Sequence, residues 1–473
     1  MILLKNHING LAADGLTAEY RDVVNPYTEQ PIARIPVGSS ADVEAAMQSA
    51  SAAQLGWASL SLKERLNHLQ RTAEILDDHV RELAELESLE MGKPIPLAEQ
   101  FIRGAIDSLR TTIEQARAYQ FVANVSQPGE TSRTIVTRRP LGVVALIAPW
   151  NFTVTSILSP LGPLLAAGNT VVVKPSEKAP LSAARLLELI DVPPGVTNLL
   201  LGDARAGVPL AEHEDVALVH FTGSVETGRS VGVAAARRLR RSVLELGGND
   251  PVIVDNDADV NATAKAVATS TFLNSGQICT STERIYVHRD IAEAFTHALV
   301  REAESFDMVD SPECFGLGPM VDDGQRQMVH AHVIDAESRG ATVRCGGRIP
   351  DRRGFFYPAT VLTGVTPDMQ IMVEETFGPV APITVVDSFD EAIALANGTG
   401  FGLAATVYSR NPLNLQRCSE INAAIVWINE WQSGGAHMIY EPWGLSGVGM
   451  TGGFASFDAA TRPVSIVSPA ETP

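Results

Sequence analysis

The chain has 473 residues and carries 36 Lys and Arg side chains against 55 Asp and Glu side chains, a formal net charge of −19 at pH 7. This excess of negative charge argues against nucleic acid and anionic membrane surfaces as partners, because phosphate contacts need surplus Lys and Arg. With 45% hydrophobic and 19% charged residues, the composition indicates a globular protein of about two to four domains.

The cysteines indicate a reducing compartment. Cys279, Cys314, Cys345 and Cys418 form no CxxC pair and no disulfide framework, so they are interpreted as reduced thiols. The first residues lack the cationic leader and cleavage site of a secretory signal, and no apolar run reaches the roughly 18 to 20 residues of a membrane span. The sequence therefore predicts a cytoplasmic location.

Residues 62 to about 118 are predicted to be helical. Apolar residues recur at steps of three and four over 62–91, which predicts one long amphipathic helix that ends at Gly92 and Pro94. A second helical stretch follows, up to about residue 118. Residues 119–137 mix Val, Thr and Arg around a Pro-Gly turn and predict a pair of exposed strands.

After residue 140, short apolar runs alternate with helical segments. Continuous apolar strands separated by helices are typical of a parallel sheet covered on both faces, so we predict a doubly wound α/β domain. Its predicted elements are strands 142–148, 170–174, 198–201 and 216–221 and helices 156–167 and 181–190. A further alternation predicts a second α/β domain that shares a cleft with the first. Its predicted elements are strands 251–254, 284–288, near 383 and 405–408 and helices 261–273 and 291–304.

Two motifs at predicted strand ends could hold a dinucleotide. Residues 221–228 follow a strand and open a helix, where backbone N–H groups could approach a phosphate. Lys174 and Glu177 end another strand, where a carboxylate would accept hydrogen bonds from ribose hydroxyls. Taken singly, a glycine turn needed for packing and a solvated surface pair are equally good interpretations.

Asn151, Glu245 and Cys279 are candidates for the chemistry itself. The Asn151 amide could donate to an oxyanion, although an Asn that only closes a turn is the commoner case. Glu245 lies in an apolar run that ends in Gly-Gly; burial would make it a base, and an exposed strand end is the alternative. A lone Cys is usually a small buried hydrophobe. Together, however, the three supply an oxyanion donor, a base and a nucleophile.

These motifs occur in the order found in NAD(P)-dependent aldehyde dehydrogenases, and the chain resembles that superfamily from residue 25 to about residue 449. The motifs are Pro149-Trp-Asn-Phe, Lys174-Pro-Ser-Glu, Phe221-Thr-Gly-Ser, Glu245-Leu-Gly-Gly, Gly276-Gln-Ile-Cys, Glu375-Thr-Phe-Gly-Pro and the segment 397–403. The resemblance implies two doubly wound domains and a small β element that joins subunits into a homodimer or homotetramer. The implied ranges are 1–118 with 140–246 for the dinucleotide, 247–450 for catalysis, and 119–139 with 451–473 for oligomerisation.

The resemblance also implies oxidation of an aldehyde to a carboxylic acid. Cys279 would attack the aldehyde, Asn151 would hold the thiohemiacetal oxyanion, and Glu245 would activate the water that hydrolyses the thioacyl enzyme. No metal is expected. The implied cofactor contacts are Trp150, Lys174, Ser176, Glu177, Gly223, Ser224, Gly228, Leu246, Glu375 and Phe377.

The cofactor is expected to be NAD, with NADP as the alternative. Glu177 would repel the 2′-phosphate of NADP, while Lys174 and Lys178 could soften that repulsion. A CoA-acylating semialdehyde dehydrogenase, an esterase of the cysteine hydrolase type and a non-catalytic relative remain as alternatives.

The segment around the substrate entrance departs from the family pattern. Residues 442–449 form a shorter segment than usual and lack its Lys, and Thr153 stands where the family usually has Pro. No Arg or Lys lies near the entrance to pair a substrate carboxylate, which favours an apolar or aromatic aldehyde. A cationic aminoaldehyde held by aromatic side chains and Glu441 is the rival. The candidate pocket residues are Phe152, Ile278, Thr280, His437 and Trp443.

Overall fold

The computed structural model describes residues 1–128 and 130–469. Short strands open the chain, and four long helices follow them. The strands are β1 (Ile2–Leu3), β2 (Asn6–Ile8), β3 (Leu11–Ala13), β4 (Tyr20–Asn25) and β5 (Gln30–Pro36), and the helices are α1 (Ser40–Ser59), α2 (Leu62–Asp78), α3 (Val80–Met91) and α4 (Ile95–Ala118).

The prediction of a single helix over 62–91 is wrong, because the chain forms two helices that meet at His79. His79 has φ −115° and ψ 9°, outside helical geometry, and it ends α2 and precedes α3. The apolar spacing continues across this residue, so periodicity alone cannot reveal the break. The predicted stop is confirmed: α3 ends at Met91, and Gly92 takes the left-handed conformation with φ 87°.

The exposed strand pair and the first alternation are confirmed. The elements are β6 (Val122–Asn124), β7 (Ser132–Pro140), β8 (Val143–Ile147), α5 (Thr153–Ala166), β9 (Thr170–Lys174), α6 (Leu181–Leu189), β10 (Thr197–Leu199), α7 (Ala204–Glu212), β11 (Val216–Gly223), α8 (Val225–Arg237) and β12 (Arg241–Leu246). Helix α5 begins at Thr153, earlier than predicted. Every residue of β8 and β9 is buried, which explains their uninterrupted apolar sequence.

The second alternation is also confirmed. It comprises β13 (Asp250–Val254), α9 (Val260–Phe272), β14 (Thr282–His288), α10 (Arg289–Glu304), α11 (Asp323–Ser338), β15 (Thr342–Cys345), β16 (Thr360–Thr363), α12 (Gln370–Val373), β17 (Val380–Val386), α13 (Phe389–Ala396), β18 (Ala404–Tyr408), α14 (Pro412–Gln416) and β19 (Ile425–Ile428). The last described elements are β20 (Gly447–Val448), α15 (Ala455–Ala460) and β21 (Thr461–Pro469).

In the described residues, the larger sheet has the order β20-β12-β11-β8-β9-β10-β2-β3, and β8 to β12 run parallel. From β8 the chain steps outward through β9 to β10, then returns to the other side of β8 with β11 and β12. Strand order therefore reverses between β8 and β11. In open α/β sheets, ligands bind outside the carboxyl ends of the strands at such a reversal.

The smaller sheet has the order β15-β16-β17-β14-β13-β18-β19 in the described residues and is parallel except for β15. Helices cover both sheets, as in the predicted doubly wound fold. Strand β20 pairs with β12, so the chain returns to the larger sheet after β19.

Strands β21, β7 and β6 form a separate antiparallel sheet with exposed apolar side chains at Val122, Ile466 and Val467. Gly129 and residues 470–473, which fall in the predicted oligomerisation segments, lie outside the described residues. No helix in the described ranges is long and apolar enough to cross a membrane.

Candidate active site

Cys279 lies on a tight loop between α9 and β14. Before it, Asn274, Ser275 and Gly276 all take left-handed backbone conformations, with φ of 52°, 55° and 71°. A Cβ atom at Gly276 would lie 2.1 Å from the carbonyl oxygen of Gly378, so a side chain could not be accommodated there. Left-handed backbone is costly for residues other than glycine, and such strain concentrates at functional sites.

The Asn151 side chain binds this loop. Asn151 lies in the turn between β8 and α5 and is 6% exposed. Its amide Nδ2 donates to the carbonyl oxygen of Gln277 over 3.0 Å, and the Gln277 side chain accepts a hydrogen bond from the Val321 N–H over 2.9 Å. The predicted oxyanion donor is therefore held beside the loop of the predicted nucleophile, although sequence separates them by more than a hundred residues.

Glu245 is a buried carboxylate in β12, 9% exposed. The Thr451 hydroxyl donates to its Oε1 over 3.0 Å, and the Tyr440 phenol also hydrogen-bonds to it. Burial outweighs these two hydrogen bonds and raises the Glu245 pKa to about 7. A carboxyl group with this pKa can both accept and release a proton near neutral pH.

The Cys279 thiol stays protonated at neutral pH in this environment. Burial is the main cause that raises its pKa to about 12, and the carboxyl groups of Asp250, Glu375 and Glu245 add to the effect. Attack by this sulfur therefore needs a base to take its proton.

The pair Gly247-Gly248 allows the end of β12 to lie against the Cys279 loop. The Gly248 N–H donates to Glu375 Oε1 over 3.0 Å. A Cβ at Gly248 would lie 2.8 Å from the Cys279 carbonyl oxygen, and one at Gly247 would lie 2.0 Å from Glu375 Oε2. Side chains at either position would separate the base, the nucleophile and Glu375.

Cys279 and Glu245 line one cavity of about 530 Å³. The candidate pocket residues Phe152, Ile278 and Thr280 also line it. Among the described lining residues, Glu245 is the one carboxylate, and none is Lys or Arg.

His437 and Trp443 are not among the described lining residues, so their assignment to the pocket is not supported. The His437 ring contacts the Gln115 side chain over 3.1 Å, and Trp443 is 63% exposed. Asn151 is also absent from the described lining. Its amide binds the Gln277 carbonyl, and the next two residues of that loop, Ile278 and Cys279, line the cavity.

The predicted cofactor residues gather at the carboxyl edge of the larger sheet. Trp150 follows β8, Ser176 and Glu177 follow β9, and Ser224 follows β11, next to the reversal of strand order. Ser224 is the N-cap of α8 and accepts a hydrogen bond from the Thr227 N–H over 3.4 Å. Ser176 and Glu177 are half-buried, and Ser224 is exposed.

Lys174 lies at the same edge but is 5% exposed, and its Nζ donates to the Pro175 carbonyl over 2.8 Å. Burial lowers the Lys174 pKa, while the neighbouring carboxylates of Glu177 and Asp203 oppose that shift. The ammonium group is therefore held in the protein interior and has carboxylates close by.

Gly228 and Gly223 lie close to apolar side chains. A Cβ at Gly228 would lie 2.3 Å from Leu246 Cδ2, and one at Gly223 would lie 2.6 Å from the Phe221 ring. The packing interpretation of this motif thus has direct support, and phosphate contact at these two glycines stays a prediction.

Phe377 reaches the same region from the smaller sheet. Its ring meets the Trp150 ring edge to face, with centroids 5.5 Å apart. The buried carboxylate of Glu283 accepts hydrogen bonds from the N–H groups of Thr376 and Phe377 over 2.8 and 2.7 Å. Sequence reasoning missed Glu283, because it stands between Thr282 and Arg284 and its burial is visible only in the folded strand.

Comparison with known proteins gives the family. A family model described as "Aldehyde dehydrogenase family" matches residues 14–466. The chain belongs to the aldehyde dehydrogenase family. Aminoaldehyde dehydrogenase 2, peroxisomal, from Pisum sativum is 38% identical over 426 residues, which cover 86% of this chain and 84% of that protein.

Solved structures of the family confirm the predicted fold. An NAD-dependent aldehyde dehydrogenase from Sinorhizobium meliloti is 34% identical with a TM-score of 0.96, and the match covers 100% of this chain and 95% of that one. Lactaldehyde dehydrogenase from Escherichia coli is 32% identical with a TM-score of 0.95 and 99% coverage of each chain. The resemblance predicted from the motifs is thereby confirmed.

Proposed function

We propose that the protein oxidises a small aldehyde to its carboxylic acid through a covalent intermediate on Cys279, with NAD⁺ as cofactor. The main supporting observation is that Cys279 and Glu245 line one cavity while the Asn151 amide binds the loop that carries Cys279. A nucleophile, a base and an oxyanion donor are the parts that acyl-transfer chemistry requires.

The Cys279 sulfur attacks the carbonyl carbon as the thiol loses its proton. Glu245 is the base that faces the same cavity, and its pKa of about 7 leaves a large share of it as carboxylate at neutral pH. The Asn151 amide and the Cys279 backbone N–H stabilise the oxyanion of the thiohemiacetal. After releasing the thiol proton to solvent, Glu245 takes a proton from the water that hydrolyses the thioacyl enzyme.

The carboxyl edge of the larger sheet fits a dinucleotide by its set of donors and acceptors. Ser224 and the first N–H groups of α8 suit a phosphate, and Glu177 suits ribose hydroxyls. Bound NAD⁺ supplies the hydride acceptor for the oxidation. The Glu177 carboxylate favours NAD⁺ over NADP⁺, and the Sinorhizobium relative is named as NAD-dependent. NADP⁺ is the alternative because Lys174 and Lys178 lie in the same segment.

Water is the proposed acceptor of the acyl group. Thr451 and Tyr440 hold Glu245 in the cavity wall, where a water-activating base is needed. A CoA-acylating enzyme has no need for such a base, and an esterase would act without NAD⁺.

For the substrate, an uncharged apolar or aromatic aldehyde fits the cavity. A carboxylated aldehyde would bring a charge that no lysine or arginine of the described lining could pair. The lining is rich in aromatic and sulfur-containing side chains, namely Phe101, Phe152, Trp427, Met438, Tyr440 and Phe457.

An aminoaldehyde is the second candidate. The name of the Pisum sativum relative favours it, and aromatic rings can hold an ammonium group by cation–π contact. Glu441, which the sequence suggested as its ionic partner, is exposed and is not among the described lining residues. Glu245 would then be the only carboxylate of the described lining near such a substrate, and the reaction requires it as base.

The proposal is tested by following NADH formation with purified protein against phenylacetaldehyde, hexanal, aminobutyraldehyde and succinate semialdehyde, with and without coenzyme A. We expect kcat/KM to be highest for the two neutral aldehydes, with free acid released in the absence of coenzyme A. Cys279→Ala should abolish turnover, whereas Cys418→Ala, which removes a buried thiol outside the described lining, should not. Ester hydrolysis without any NADH formation would refute the dehydrogenase function.

We further propose a cytoplasmic homodimer or homotetramer. The sheet of β6, β7 and β21 exposes apolar side chains, as subunit-joining strands do, and the cysteines in the described ranges are free thiols. Light scattering coupled to gel filtration measures the assembly. A monomeric mass at micromolar concentration would exclude it.

A further inference from the structure

A buried ion pair lies beneath the substrate cavity, outside the residues to which the chemistry is assigned. The side chain of Lys93 has no solvent exposure, and its Nζ lies 2.8 Å from Oε2 of Glu87, which is 2% exposed. The left-handed Gly92 ends α3 and turns the chain so that Lys93 faces inward. A buried charge is costly unless it is fully partnered, so such a pair marks a site where position matters.

The Lys93 ammonium has a second partner, the ring of Phe152. Nζ lies 3.8 Å from the centroid of this ring, and Phe152 also lines the cavity. The Phe101 ring packs against Phe152 with centroids 4.5 Å apart, and its own centroid lies 6.0 Å from Lys93 Nζ. Cation–π contact is strongest where water is excluded, as it is here.

The same carboxylate also fixes the backbone beside Phe152. Glu87 Oε1 accepts a hydrogen bond from the Val154 N–H over 2.9 Å, in the first turn of α5. Helix α5 has no side-chain cap of its own, so Glu87 acts as its N-terminal partner from another helix. Asn151 and Phe152 are the two residues that immediately precede this turn.

We propose that Lys93 and Glu87 are positioning residues that hold Phe152, and with it Asn151, in place for the aldehyde. Glu87 holds the backbone through Val154, and Lys93 holds the ring. This inference rests on the proposed function, because it assigns Phe152 to the substrate and Asn151 to the oxyanion. The ring orientation determines how an aromatic or long aliphatic aldehyde packs beside Cys279.

Lys93 is subject to opposed influences. Burial is the largest of them and lowers the Lys93 pKa, while the Glu87 carboxylate beside it and the nearby Glu90 carboxyl group oppose that shift. Glu87 itself accepts two hydrogen bonds, one from each of the groups that it positions.

The first test is a double-mutant cycle with Lys93→Met and Phe152→Leu. Lys93→Met should lower kcat/KM for phenylacetaldehyde by about tenfold, chiefly through KM, as expected for loss of a desolvated cation–π contact. It should affect a short aldehyde such as acetaldehyde much less, since that substrate does not reach the ring. In the Phe152→Leu background the same change should have an effect below about twofold, because the ring is already gone. An equal loss with and without Phe152 would overturn the proposal.

Controls separate this effect from a general loss of folding. Lys5→Met removes an exposed lysine that pairs with Asp14 and should leave both substrates unaffected. Lys93→Arg keeps a cation at the ring and should recover part of the lost selectivity. If Lys93→Met does not fold, fluorinated phenylalanines at position 152 weaken the cation–π contact with little change in volume. The melting temperature and kcat/KM for phenylacetaldehyde should then fall with each added fluorine, and a flat series would overturn the proposal.

The two possible failures are distinguishable. Absence of NADH formation by the wild-type protein with every aldehyde would refute the proposed function. Absence of coupling between positions 93 and 152 in thermal unfolding would refute the ion-ring contact, whatever the activity.

Discussion

Two regions carry the chemistry proposed for this enzyme, and they are built differently. Around the half-buried Cys279, Glu245 and Asn151 are buried and hydrogen-bonded, and the pKa values of Glu245 and Cys279 are raised. At the carboxyl edge of the larger sheet, Ser176 and Glu177 are half-buried and Ser224 is exposed. In the first region, the low-dielectric interior sets the pKa values of the reacting groups. In the second, the ends of parallel strands place groups where they can contact a ligand.

This difference predicts which substitutions should lower the reaction rate and which should change cofactor affinity. In the interior, removing one group leaves its partners unsatisfied and changes proton affinities, so effects on rate should be large. At the edge, each group contributes one contact to a large ligand, so effects should appear as changes in cofactor affinity. The substitutions below test that contrast, the most damaging first.

Glu245→Gln should lower the steady-state kcat by about 10² to 10⁴, because it removes the base. Since burial raises the Glu245 pKa to about 7, kcat of the wild-type enzyme should rise with pH through about 7 and then level off. The variant should lack this limb and should also form NADH slowly in the first turnover, because Glu245 takes the Cys279 proton as well as the proton of the attacking water. An unchanged pH profile in Glu245→Gln would exclude this carboxyl as the titrating base.

Ionisation of Glu245 should also make the stability of the fold depend on pH. Its pKa in the folded protein lies above the ordinary value of 4.5, so protonation of Glu245 stabilises the fold. That contribution is complete below pH 4.5 and is lost as pH rises through about 7. The wild type should therefore lose melting temperature between pH 5 and pH 8, whereas Glu245→Gln has no carboxyl group to ionise there. The difference in melting temperature, variant minus wild type, should rise across this range. Thermal unfolding across this range measures it.

Asn151→Ala should lower kcat by about 10² to 10³, the usual effect of losing one oxyanion donor. The Asn151 amide also binds the Gln277 carbonyl, so the loop that carries Cys279 loses a support. Asn151→Asp, which keeps the shape but cannot donate, should be as impaired, and KM for NAD⁺ should change little in both. Retained activity in Asn151→Asp would remove the oxyanion role.

Glu177→Gln should change selectivity and leave the chemical step alone. Removing the carboxylate should improve kcat/KM for NADP⁺ relative to NAD⁺ by about tenfold, with kcat nearly constant. Steady-state kinetics with both cofactors measure this, and Glu188→Gln, a surface change on α6, serves as the matched control. A fall in kcat at saturating NAD⁺ would break the contrast between the two regions.

Trp443→Ala should have the smallest effect. Trp443 is 63% exposed and is not among the described lining residues, so kcat/KM should stay within about twofold for every aldehyde. Phe152→Ala is the matched comparison inside the cavity and should raise KM for aromatic aldehydes. A large loss in Trp443→Ala would return this residue to the substrate pocket.

Sequence alone was sufficient for the family, the two alternating sheets and the approximate bounds of the elements that it predicted. The strands up to residue 36, helix α1 and several elements after residue 304 were not predicted. Continuous apolar runs identify buried parallel strands, and glycine at the end of a helix is a local signal, as Gly92 shows. The motifs around Asn151, Glu245 and Cys279 name chemical groups, so their roles can be predicted before their positions are known. The break between α2 and α3 at His79 was not predicted, because the helical periodicity of apolar residues continues across it.

Contacts between side chains from distant segments could be found only in the tertiary structure. Thr451 contacts Glu245 and Gln277 binds Asn151 because distant loops converge at the strand ends, and no local signal predicts either pair. The ion pair of Lys93 and Glu87 lies under the Phe152 ring for the same reason. Local sequence sets the conformation of each segment, whereas burial and long-range packing set proton affinities and neighbours.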